Sequence, residues 1–580
     1  MKATDYIAKR IKKETPIIFG VIGGAIMNLF DSLDKQGLNL ITAHHEQGAS
    51  MMADAYARVS GKLGVCIVTS GPGATNALTG TCCSYYDSIN TLTIAGQVPT
   101  KNLKFGKLRQ RGFQETDTIS LFKSITKFSK QMKNPKEVEK DLEKAIQIAK
   151  TPRKGTTFLD LCDDVQISQI KGKQPKIKKE TLPKAKRKDI QKLVKLINSS
   201  ERPLLIIGAG AKYLKNHSIM QKSIKTLVYR LGIPTFLTWG AMDLLPHNNP
   251  LNCRDFGVTS QRIGNFAIKN ADLIICLGTR LDTHEAVGNW TDAKVVMIDI
   301  DKAELNKQKA YLKIHSELSY FIKELKKSYI ANWWGKWLNK IQYLRKKYPL
   351  PNTMPYKFID RLSDYSKEGD IIITDAGQTL TWTMQAWKVK ENQQLFSAFN
   401  HSPMGYAIPA SIGAWYGVNP YKKSSEQLKN LKQVICITGD GGFQMNLQEL
   451  QTIKGNDLPI KIFILDNKGY GMIKQGQADW PKFIKYGTAC EPFMADFRKV
   501  AKCFGFKYEE ILNDKQFHKI KKVLNYNSPV LCRIKIPEGT KIEPKLFFGN
   551  SYDNLRPYLK EDERNKINYI LKNGIEYGIE

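Results

Sequence analysis

The segment from Val434 to Gln475 constrains the fold of this chain more than any other. It contains two short apolar runs, Val434 to Thr438 and Ile462 to Leu465, on either side of an amphipathic stretch from Gln444 to Ile453. Apolar runs of this length predict buried strands, and the stretch between them predicts a helix. Two buried strands joined through a helix form a right-handed parallel unit, so we predict an α/β fold.

Glycines and polar residues follow both predicted strands. The sequence GDGG, residues 439–442, follows the first strand, and Asp466 and Asn467 follow the second. Ligands of parallel sheets bind at these strand ends, where glycines let backbone N–H groups approach a phosphate. Asp440 and Asn467 offer the oxygen ligands that Mg²⁺ prefers. GDGG alone is more typical of a simple turn, and only its combination with Asn467 indicates a metal-diphosphate site.

The 27-residue spacing from Asp440 to Asn467 resembles the signature of thiamin diphosphate enzymes, a GDG motif followed later by an asparagine. The resemblance implies that Asp440, Asn467 and the main-chain carbonyl of Gly469 bind Mg²⁺. The glycines that it places against the cofactor are Gly439, Gly441 and Gly442. The family pattern carries two asparagines, and Asp466 stands here in place of the first.

A second motif lies near the N-terminus, where residues 44–80 read HHEQGASMMADAYARVSGKLGVCIVTSGPGATNALTG. It resembles the pyrimidine-binding domain of acetolactate synthases, and the resemblance extends over nearly the whole chain. It implies that Glu46 hydrogen-bonds the aminopyrimidine ring of the cofactor and that Pro72 and Asn76 lie beside that ring. Without the resemblance, Glu46 would be typical of a helix start that caps backbone donors.

The same resemblance implies further site residues. The cofactor contacts are Gly377, Gln378, Met404 and Met472, and the residues on the substrate side are Phe113, Gln114 and Lys127. Met404 would hold the cofactor in a bent shape, because a flexible apolar side chain fills the angle between two rings; core packing is the alternative. Gln114 would point its amide at the thiazolium ring, and Lys127 would lie at the mouth of the site. Thr379 replaces a family histidine.

Composition divides the 580 residues into blocks. A lysine-rich stretch at 171–189 predicts a solvated linker, and three prolines interrupt residues 346–355. We predict three doubly wound parallel-sheet α/β domains. The ranges are 1–170 for the pyrimidine-binding domain, 171–189 for the linker, 190–345 for a central FAD- or nucleotide-like domain, 356–537 for the diphosphate-binding domain and 538–580 for a polar tail.

The central block contains RPLLIIGAGAK, a predicted strand followed by a glycine-rich turn. A lone GxG after a strand is weak evidence for dinucleotide binding. In acetolactate synthases the corresponding domain holds FAD in a non-redox role, whereas in many thiamin relatives it is empty. Both alternatives stay open, and if FAD binds, the expected contacts are Gly208, Gly210 and Arg280.

The formal net charge is +34, from 89 Lys and Arg against 55 Asp and Glu. The basic residues are spread along the chain without a nucleic-acid-binding motif, so a lysine-rich composition explains them better than a nucleic-acid partner. The ten cysteines lack metal-type spacing and indicate buried thiols in a reducing compartment. No secretory signal or long apolar run occurs, so we expect a cytoplasmic protein that binds no membrane.

The resemblance implies transfer of a two-carbon unit from a 2-oxo acid, expected to be pyruvate, to a second carbonyl with loss of carbon dioxide. Acetolactate synthases carry a tryptophan where this chain has Gly476, and an arginine after RFDD that RLDTHEAVGN lacks. The loop at 101–112 is also longer and more basic. With these departures, the chain resembles acetolactate-synthase-like proteins of polysaccharide synthesis. We therefore expect a sugar or nucleotide-sugar acceptor that binds near Arg109, Arg111 and Lys107.

Other functions stay open. They are a true acetolactate synthase of branched-chain amino-acid synthesis, a thiamin diphosphate-dependent lyase or hydrolase, and a silent structural subunit. A silent subunit would be expected to lose Glu46 or Asp440, and both are present. The resemblance further implies a homodimer or homotetramer whose active sites lie between subunits.

Overall fold

Three parallel sheets, each flanked by helices, organise the chain in the computed structural model. The structure describes residues 1–104, 106, 108–178, 180–212, 217–307, 309–330, 334–419, 431–479 and 493–574. The sheets lie within the ranges 1–170, 190–345 and 356–537. The predicted α/β fold with three parallel-sheet domains is confirmed.

The N-terminal domain is built on a six-stranded sheet. Its strands are β1 (Ile17–Gly20), β2 (Asn39–Thr42), β3 (Gly64–Val68), β4 (Thr91–Gln97), β5 (Phe128–Met132) and β6 (Thr157–Cys162). They are parallel, in the order β2-β1-β3-β4-β6-β5. The α-helices of this domain are Ala3–Lys12, Met27–Lys35, Glu46–Ser60, Pro72–Asn76, Leu78–Tyr86, Thr118–Lys123, Val138–Lys150 and Asp163–Gln166.

The central domain has a five-stranded parallel sheet. Its strands are β7 (Pro203–Ile207), β8 (Thr235–Leu237), β9 (Leu273–Leu277), β10 (Lys294–Asp299) and β11 (Leu312–His315). Their order is β11-β10-β9-β7-β8. The α-helices are Arg187–Asn198, His217–Leu231, Arg262–Asn270, Lys302–Lys307, Leu318–Leu325 and Gly335–Lys347.

The C-terminal domain repeats the architecture of the first. Its strands are β12 (Ile371–Thr374), β13 (Gln394–Phe396), β14 (Val434–Gly439), β15 (Lys461–Asp466), β16 (Lys507–Ile511) and β17 (Val530–Lys535). The order β13-β12-β14-β15-β17-β16 matches that of the N-terminal sheet, strand for strand. The α-helices are Met354–Tyr365, Gln378–Ala386, Ala407–Val418, Asp440–Met445, Glu449–Gly455, Gly471–Asp479, Phe497–Cys503 and Lys519–Leu524.

Short 3₁₀ helices complete the three domains. They are Gly24–Ile26, Thr100–Asn102, Pro135–Glu137, Ala209–Ala211, Trp239–Leu244 and Asp514–Gln516.

Strand order reverses between β12 and β14, and likewise between β1 and β3. Such a reversal opens a crevice at the carboxyl ends of the strands, which is where doubly wound sheets bind ligands. The residues after β12, β14 and β15 therefore meet at one edge of the third sheet.

The N- and C-terminal domains share one hydrophobic core, in which helix 46–60 packs against helix 407–418. The two backbones approach closely, because a Cβ on Gly413 would collide with the main-chain oxygen of Met52. Glu46 begins the first helix, and Met404 lies just before the second. The crossing therefore fixes both residues relative to one core.

Residues 539–574 contain regular secondary structure, whereas the sequence predicts a polar tail. They form an antiparallel pair, β18 (Lys545–Leu546) and β19 (Leu555–Arg556), and the helix Glu561–Asn573. Ile567 and Leu571 on this helix are buried, and Arg262 Nη1 donates to the Leu555 carbonyl at 2.8 Å. The charged residues of the segment predict a solvated tail, but its apolar residues lie on one face of an amphipathic helix that packs on the central domain.

Among the described residues, no helix combines the length and apolar character that a bilayer crossing requires.

Candidate active site

Three oxygen atoms meet at the carboxyl ends of β14 and β15. Asp440 begins helix 440–445, and its Oδ2 accepts a hydrogen bond from Gly469 N at 3.0 Å. The side-chain oxygen of Asn467 lies 3.3 Å from Asp440 Oδ2 and 2.9 Å from the main-chain oxygen of Gly469. Oxygens that face each other without a hydrogen between them repel, and a cation placed between them would relieve that repulsion. Carboxylate, amide and carbonyl oxygens are the donors of a Mg²⁺ site.

The Asp440 carboxylate is buried in this cluster. Burial raises its pKa to about 6, the backbone N–H groups of Gly469 and Gly441 lower it, and the nearby Asp466 carboxylate raises it again. Asp466 pairs with Arg533 Nε at 2.6 Å. A bound cation would favour the ionised form of Asp440.

Asp375, after β12, fixes the segment that contains Met404. Its carboxylate accepts from Gly405 N at 2.9 and 3.2 Å and from Thr438 Oγ1 at 2.9 Å. A Cβ on Gly441 would lie 3.0 Å from Met404 Cε. Met404 therefore lies over the N-terminus of helix 440–445, where the sequence places the diphosphate.

The glycines after β14 are required by close packing. A Cβ on Gly441 would also lie 2.6 Å from the Tyr470 ring, and one on Gly442 would lie 2.8 Å from Asp375 Oδ2. A Cβ on Gly439 would lie 3.2 Å from Thr379 Oγ1. Side chains at these positions would fill the space in front of the helix N-terminus.

The structure changes the expectation for Gln378. Gly377 has φ of 82° and precedes helix 378–386, as a turn at a strand end requires. The Gln378 side chain, however, accepts from Asn467 Nδ2 at 2.8 Å and donates to Gln475 and to the Thr540 carbonyl. The oxygen of the Gln378 amide is therefore engaged by Asn467, a candidate metal ligand. Its nitrogen is engaged by Gln475 and Thr540 and is not free to donate to a diphosphate.

The N-terminal domain assembles a second cluster. Glu46 Oε2 accepts from Asn76 Nδ2 at 3.0 Å, and helix 72–76 begins at Pro72. Gln114 has φ of 62°, and its Oε1 accepts from Ser70 Oγ at 3.3 Å. The strand ends of the first sheet thus bring the expected pyrimidine-side residues together.

The two clusters are joined through backbone and amide contacts. Gln47 Nε2 donates to Asn446 Oδ1 at 3.4 Å, and Asn446 Nδ2 donates to the Gly405 carbonyl at 2.8 Å. Within the described residues of one chain, no hydrogen bond or ion pair joins Glu46 to the Asp440 cluster.

Two acidic residues in this region carry structural roles that the sequence did not reveal. Glu449 is buried, accepts from His44 N at 3.2 Å and from Thr452 Oγ1 at 2.8 Å, and lies directly against Gly48. Burial raises the pKa of Glu449 to about 7. The sequence signal for this structural role is a charged residue on the apolar face of helix 449–455.

Glu115 organises the basic loop at 101–112. Its carboxylate accepts from the main-chain N–H groups of Lys104 at 2.6 Å, Arg111 at 2.7 Å and Gly112 at 2.9 Å. Burial of the carboxylate opposes ionisation, but these backbone hydrogen bonds outweigh it and lower the pKa of Glu115. Arg109 is exposed on this loop, and Lys107 lies outside the described residues.

The residues expected on the substrate side have different surroundings. Phe113 is 87% exposed, so it is available to a ligand or partner. Gly476 lies on helix 471–479, and a Cβ there would meet no atom within 4 Å. The open space is consistent with the expectation of room for a large group.

The ammonium group of Lys127 is held by main-chain carbonyls. Its Nζ donates to the carbonyls of Ile148 at 2.7 Å, Thr151 at 3.0 Å and Arg153. These acceptors lie at and beyond the C-terminal end of helix 138–150 and engage all three donors of the ammonium group. Lys127 therefore caps this helix end, and its expected catalytic role stays a prediction.

A cavity of about 700 Å³ lies along the central domain and reaches the C-terminal domain. Gly208 lies behind it, because its N–H donates to the Leu277 carbonyl and a Cβ would meet Thr279 at 2.5 Å. Gly210 N–H likewise donates to the Gly278 carbonyl at 2.9 Å. The two glycines therefore allow two turns to pack together. The residues that line the cavity include Gly210, Arg280, Glu285, Asp299, Gly377 and Met472.

Family models match all three domains. The N-terminal TPP binding domain of thiamine pyrophosphate enzymes matches residues 1–121, the central domain of these enzymes matches 190–325, and their C-terminal TPP binding domain matches 375–534. Each of the three matches therefore falls in a different one of the three sheet domains.

Similar proteins extend over nearly the whole chain. A probable acetolactate synthase large subunit of Methanocaldococcus jannaschii is 34% identical over 568 residues, 92% of each chain. The acetolactate synthase large subunit of Lactococcus lactis is 31% identical over 95% of each chain. The isozyme 1 large subunit of Escherichia coli is 30% identical over 91% of this chain and 92% of its own. The chain therefore belongs to the thiamin diphosphate (thiamine pyrophosphate) enzyme family and is an acetolactate synthase-like member of it.

Proposed function

We propose that this enzyme uses thiamin diphosphate and Mg²⁺ to decarboxylate a 2-oxo acid, pyruvate in the first instance, and to transfer the two-carbon unit to an acceptor carbonyl. The observation that carries the proposal is the convergence of oxygens from Asp440, Asn467 and Gly469. When bound, the thiamin cofactor supplies the electron sink that such a decarboxylation needs.

The chain's own residues would bind and orient this cofactor. Asp440, Asn467 and the Gly469 carbonyl would hold the cation, and the N-terminus of helix 440–445 would face the diphosphate. Met404 would support the bend between the cofactor rings. Glu46, held by Asn76 at 3.0 Å, would exchange a proton with the aminopyrimidine nitrogen.

The active site would form between two subunits of a homodimer or homotetramer. Among the described residues of one chain, Glu46 itself makes no hydrogen bond or ion pair with Asp440, Asn467 or Gly469. A second chain would bring the Glu46 cluster of one subunit to the Asp440 cluster of the other. The described cysteines are free thiols, seven of the nine buried, which supports a reducing cytoplasmic location.

The acceptor would be larger than pyruvate, a sugar or nucleotide-linked sugar. Gly476 leaves open space on helix 471–479, and Glu115 holds Arg111 in the basic loop at the edge of the N-terminal sheet. Guanidinium groups suit a phosphate-bearing acceptor. True acetolactate synthesis is the second candidate, because the similar proteins carry that name.

Product analysis separates the two candidates. Purified enzyme with thiamin diphosphate and Mg²⁺ is incubated with pyruvate alone and with pyruvate plus nucleotide-linked keto sugars. A branched sugar product supports the larger acceptor. Efficient acetolactate formation with no sugar product would refute it and leave acetolactate synthesis.

The central cavity would hold a nucleotide cofactor such as FAD. Its volume of about 700 Å³ suits a dinucleotide, and Asp299, at the end of β10, is placed as ribose-binding carboxylates are in such sheets. Arg280 lines the cavity and bonds Asn400, whereas Gly208 and Gly210 contribute through turn packing. Flavin absorbance of the purified protein tests this, and a colourless protein that takes up no added FAD would refute it.

A further inference from the structure

The side chain of Gln475 is locked to the segment that follows β17. Gln475 is 4% exposed; its Oε1 accepts from Ile542 N at 2.8 Å, and its Nε2 donates to the Ile542 carbonyl at 3.1 Å. Because the backbone of one residue supplies both a donor and an acceptor, the end of the Gln475 amide that carries the oxygen is fixed. The backbone at Ile542 therefore fixes the orientation of Gln475.

Gln475 in turn fixes Gln378. Gln378 Nε2 donates to Gln475 Oε1 at 3.2 Å and to the Thr540 carbonyl at 3.1 Å. Both neighbours are acceptors, so the nitrogen of Gln378 must face them and its oxygen must face Asn467. Asn467 Nδ2 then donates to Gln378 Oε1 at 2.8 Å.

We call Gln475, Gln378 and Asn467 the amide relay. Its last step determines whether the oxygen or the nitrogen of the Asn467 amide faces Asp440 and Gly469. With Nδ2 committed to Gln378, the Asn467 oxygen faces Asp440 Oδ2 at 3.3 Å and the Gly469 carbonyl at 2.9 Å. If the Asn467 amide turned over, its nitrogen would donate to both oxygens instead. The cluster would then satisfy itself by hydrogen bonds and oppose a cation.

We propose that Gln475 is a positioning residue that, through Gln378, holds the Asn467 amide in the orientation that ligates the cation. The inference rests on the proposed function, because it assumes that Asp440, Asn467 and Gly469 bind Mg²⁺. Gln475 itself touches neither the cation nor the cofactor in this assignment. Its effect is on the orientation of a ligand two side chains away.

The first test removes the relay with Gln475→Leu. Mg²⁺ is titrated in the presence of thiamin diphosphate, and cofactor binding is followed by quenching of tryptophan fluorescence. We expect the apparent Kd for Mg²⁺ to rise about 10- to 100-fold, the range typical of lost partners of metal ligands. Gln451→Leu, on the exposed face of helix 449–455, is the matched control and should bind as wild type does.

The second test distinguishes orientation from general structural damage. In an Asn467→Asp background both terminal atoms are oxygens, so turning the group over changes nothing. Gln475→Leu should therefore produce no further loss of Mg²⁺ affinity in that background. The Gln475→Leu substitution also frees Gln378 to turn its nitrogen toward the carboxylate introduced by Asn467→Asp.

The outcomes separate the relay from the proposed function. Wild-type Mg²⁺ affinity in Gln475→Leu would overturn the relay, and so would an equal loss in both backgrounds. If the wild-type enzyme bound thiamin diphosphate without any need for a divalent cation, the proposed metal site itself would be refuted.

Discussion

A methyl group on Gly441 tests whether the space beneath Met404 is cofactor space. The Cβ of Gly441→Ala would lie 2.6 Å from Tyr470 Cε1, 2.9 Å from Tyr470 Cδ1 and 3.0 Å from Met404 Cε. Carbon atoms in contact normally lie about 3.5 to 4.0 Å apart, so these side chains must move by roughly 1 Å. All three contacts are with side-chain atoms and none is with the backbone, so the fold can tolerate the shift.

The cost should therefore appear in cofactor binding. Overpacking of this kind costs about 1 to 3 kcal/mol. If displaced Met404 takes its new place in cofactor space, thiamin diphosphate should bind roughly 5- to 150-fold more weakly, since about 1.4 kcal/mol is tenfold in Kd. Isothermal titration calorimetry at saturating Mg²⁺ measures this change.

Gly455→Ala provides the matched control. Gly455 ends helix 449–455 of the same domain, and a Cβ there would meet no atom within 4 Å. It should leave the Kd of thiamin diphosphate unchanged. If Gly441→Ala bound the cofactor as tightly as Gly455→Ala, then Met404 and Gly441 would not face the cofactor and the assignment would be refuted.

Three further substitutions test other parts of the site. Glu46→Gln should lower turnover about 10²- to 10⁴-fold while calorimetry shows nearly unchanged thiamin diphosphate binding, because an amide keeps the size of the side chain but cannot carry the proton; unchanged turnover would exclude the role. Burial raises the pKa of Glu449 to about 7, so its contribution to stability is full below the ordinary carboxyl pKa and is lost as pH rises through about 7. Glu449→Gln should therefore flatten the fall in thermal midpoint across that range, and parallel curves for both proteins would contradict the burial argument. Gly476→Trp should increase the ratio of acetolactate to sugar product in chromatographic analysis, since it fills the open space on its helix; an unchanged ratio would show that Gly476 does not face the acceptor.

The strand framework could be predicted from sequence because its strands are continuous apolar runs. Val434 to Thr438 is buried on both faces, and the glycine and aspartate that follow can only lie at the sheet edge. This topology also brought Asp440, Asn467 and Gly469 together. The family resemblance is confirmed by matches to all three domains.

The contacts that the sequence did not predict involve side chains that bond distant backbone groups. Lys127 resembles a family position, but its surroundings are carbonyls of a helix end that sequence spacing does not reveal. The Gln378 amide is engaged by Asn467 and by the Thr540 carbonyl, which lies more than 150 residues away. Long-range contacts of this kind become visible only when the fold is known.

The central claim is that Glu46 and Asp440 are two halves of one thiamin centre, contributed by different subunits. The most direct measurement is carbon dioxide release from pyruvate, with thiamin diphosphate and Mg²⁺, by co-expressed Glu46→Gln and Asp440→Asn subunits. Each variant alone should be nearly inactive. A mixed dimer has one site with both residues intact, so random pairing should restore about a quarter of wild-type activity. Mixed dimers with no more activity than either variant alone would contradict the claim.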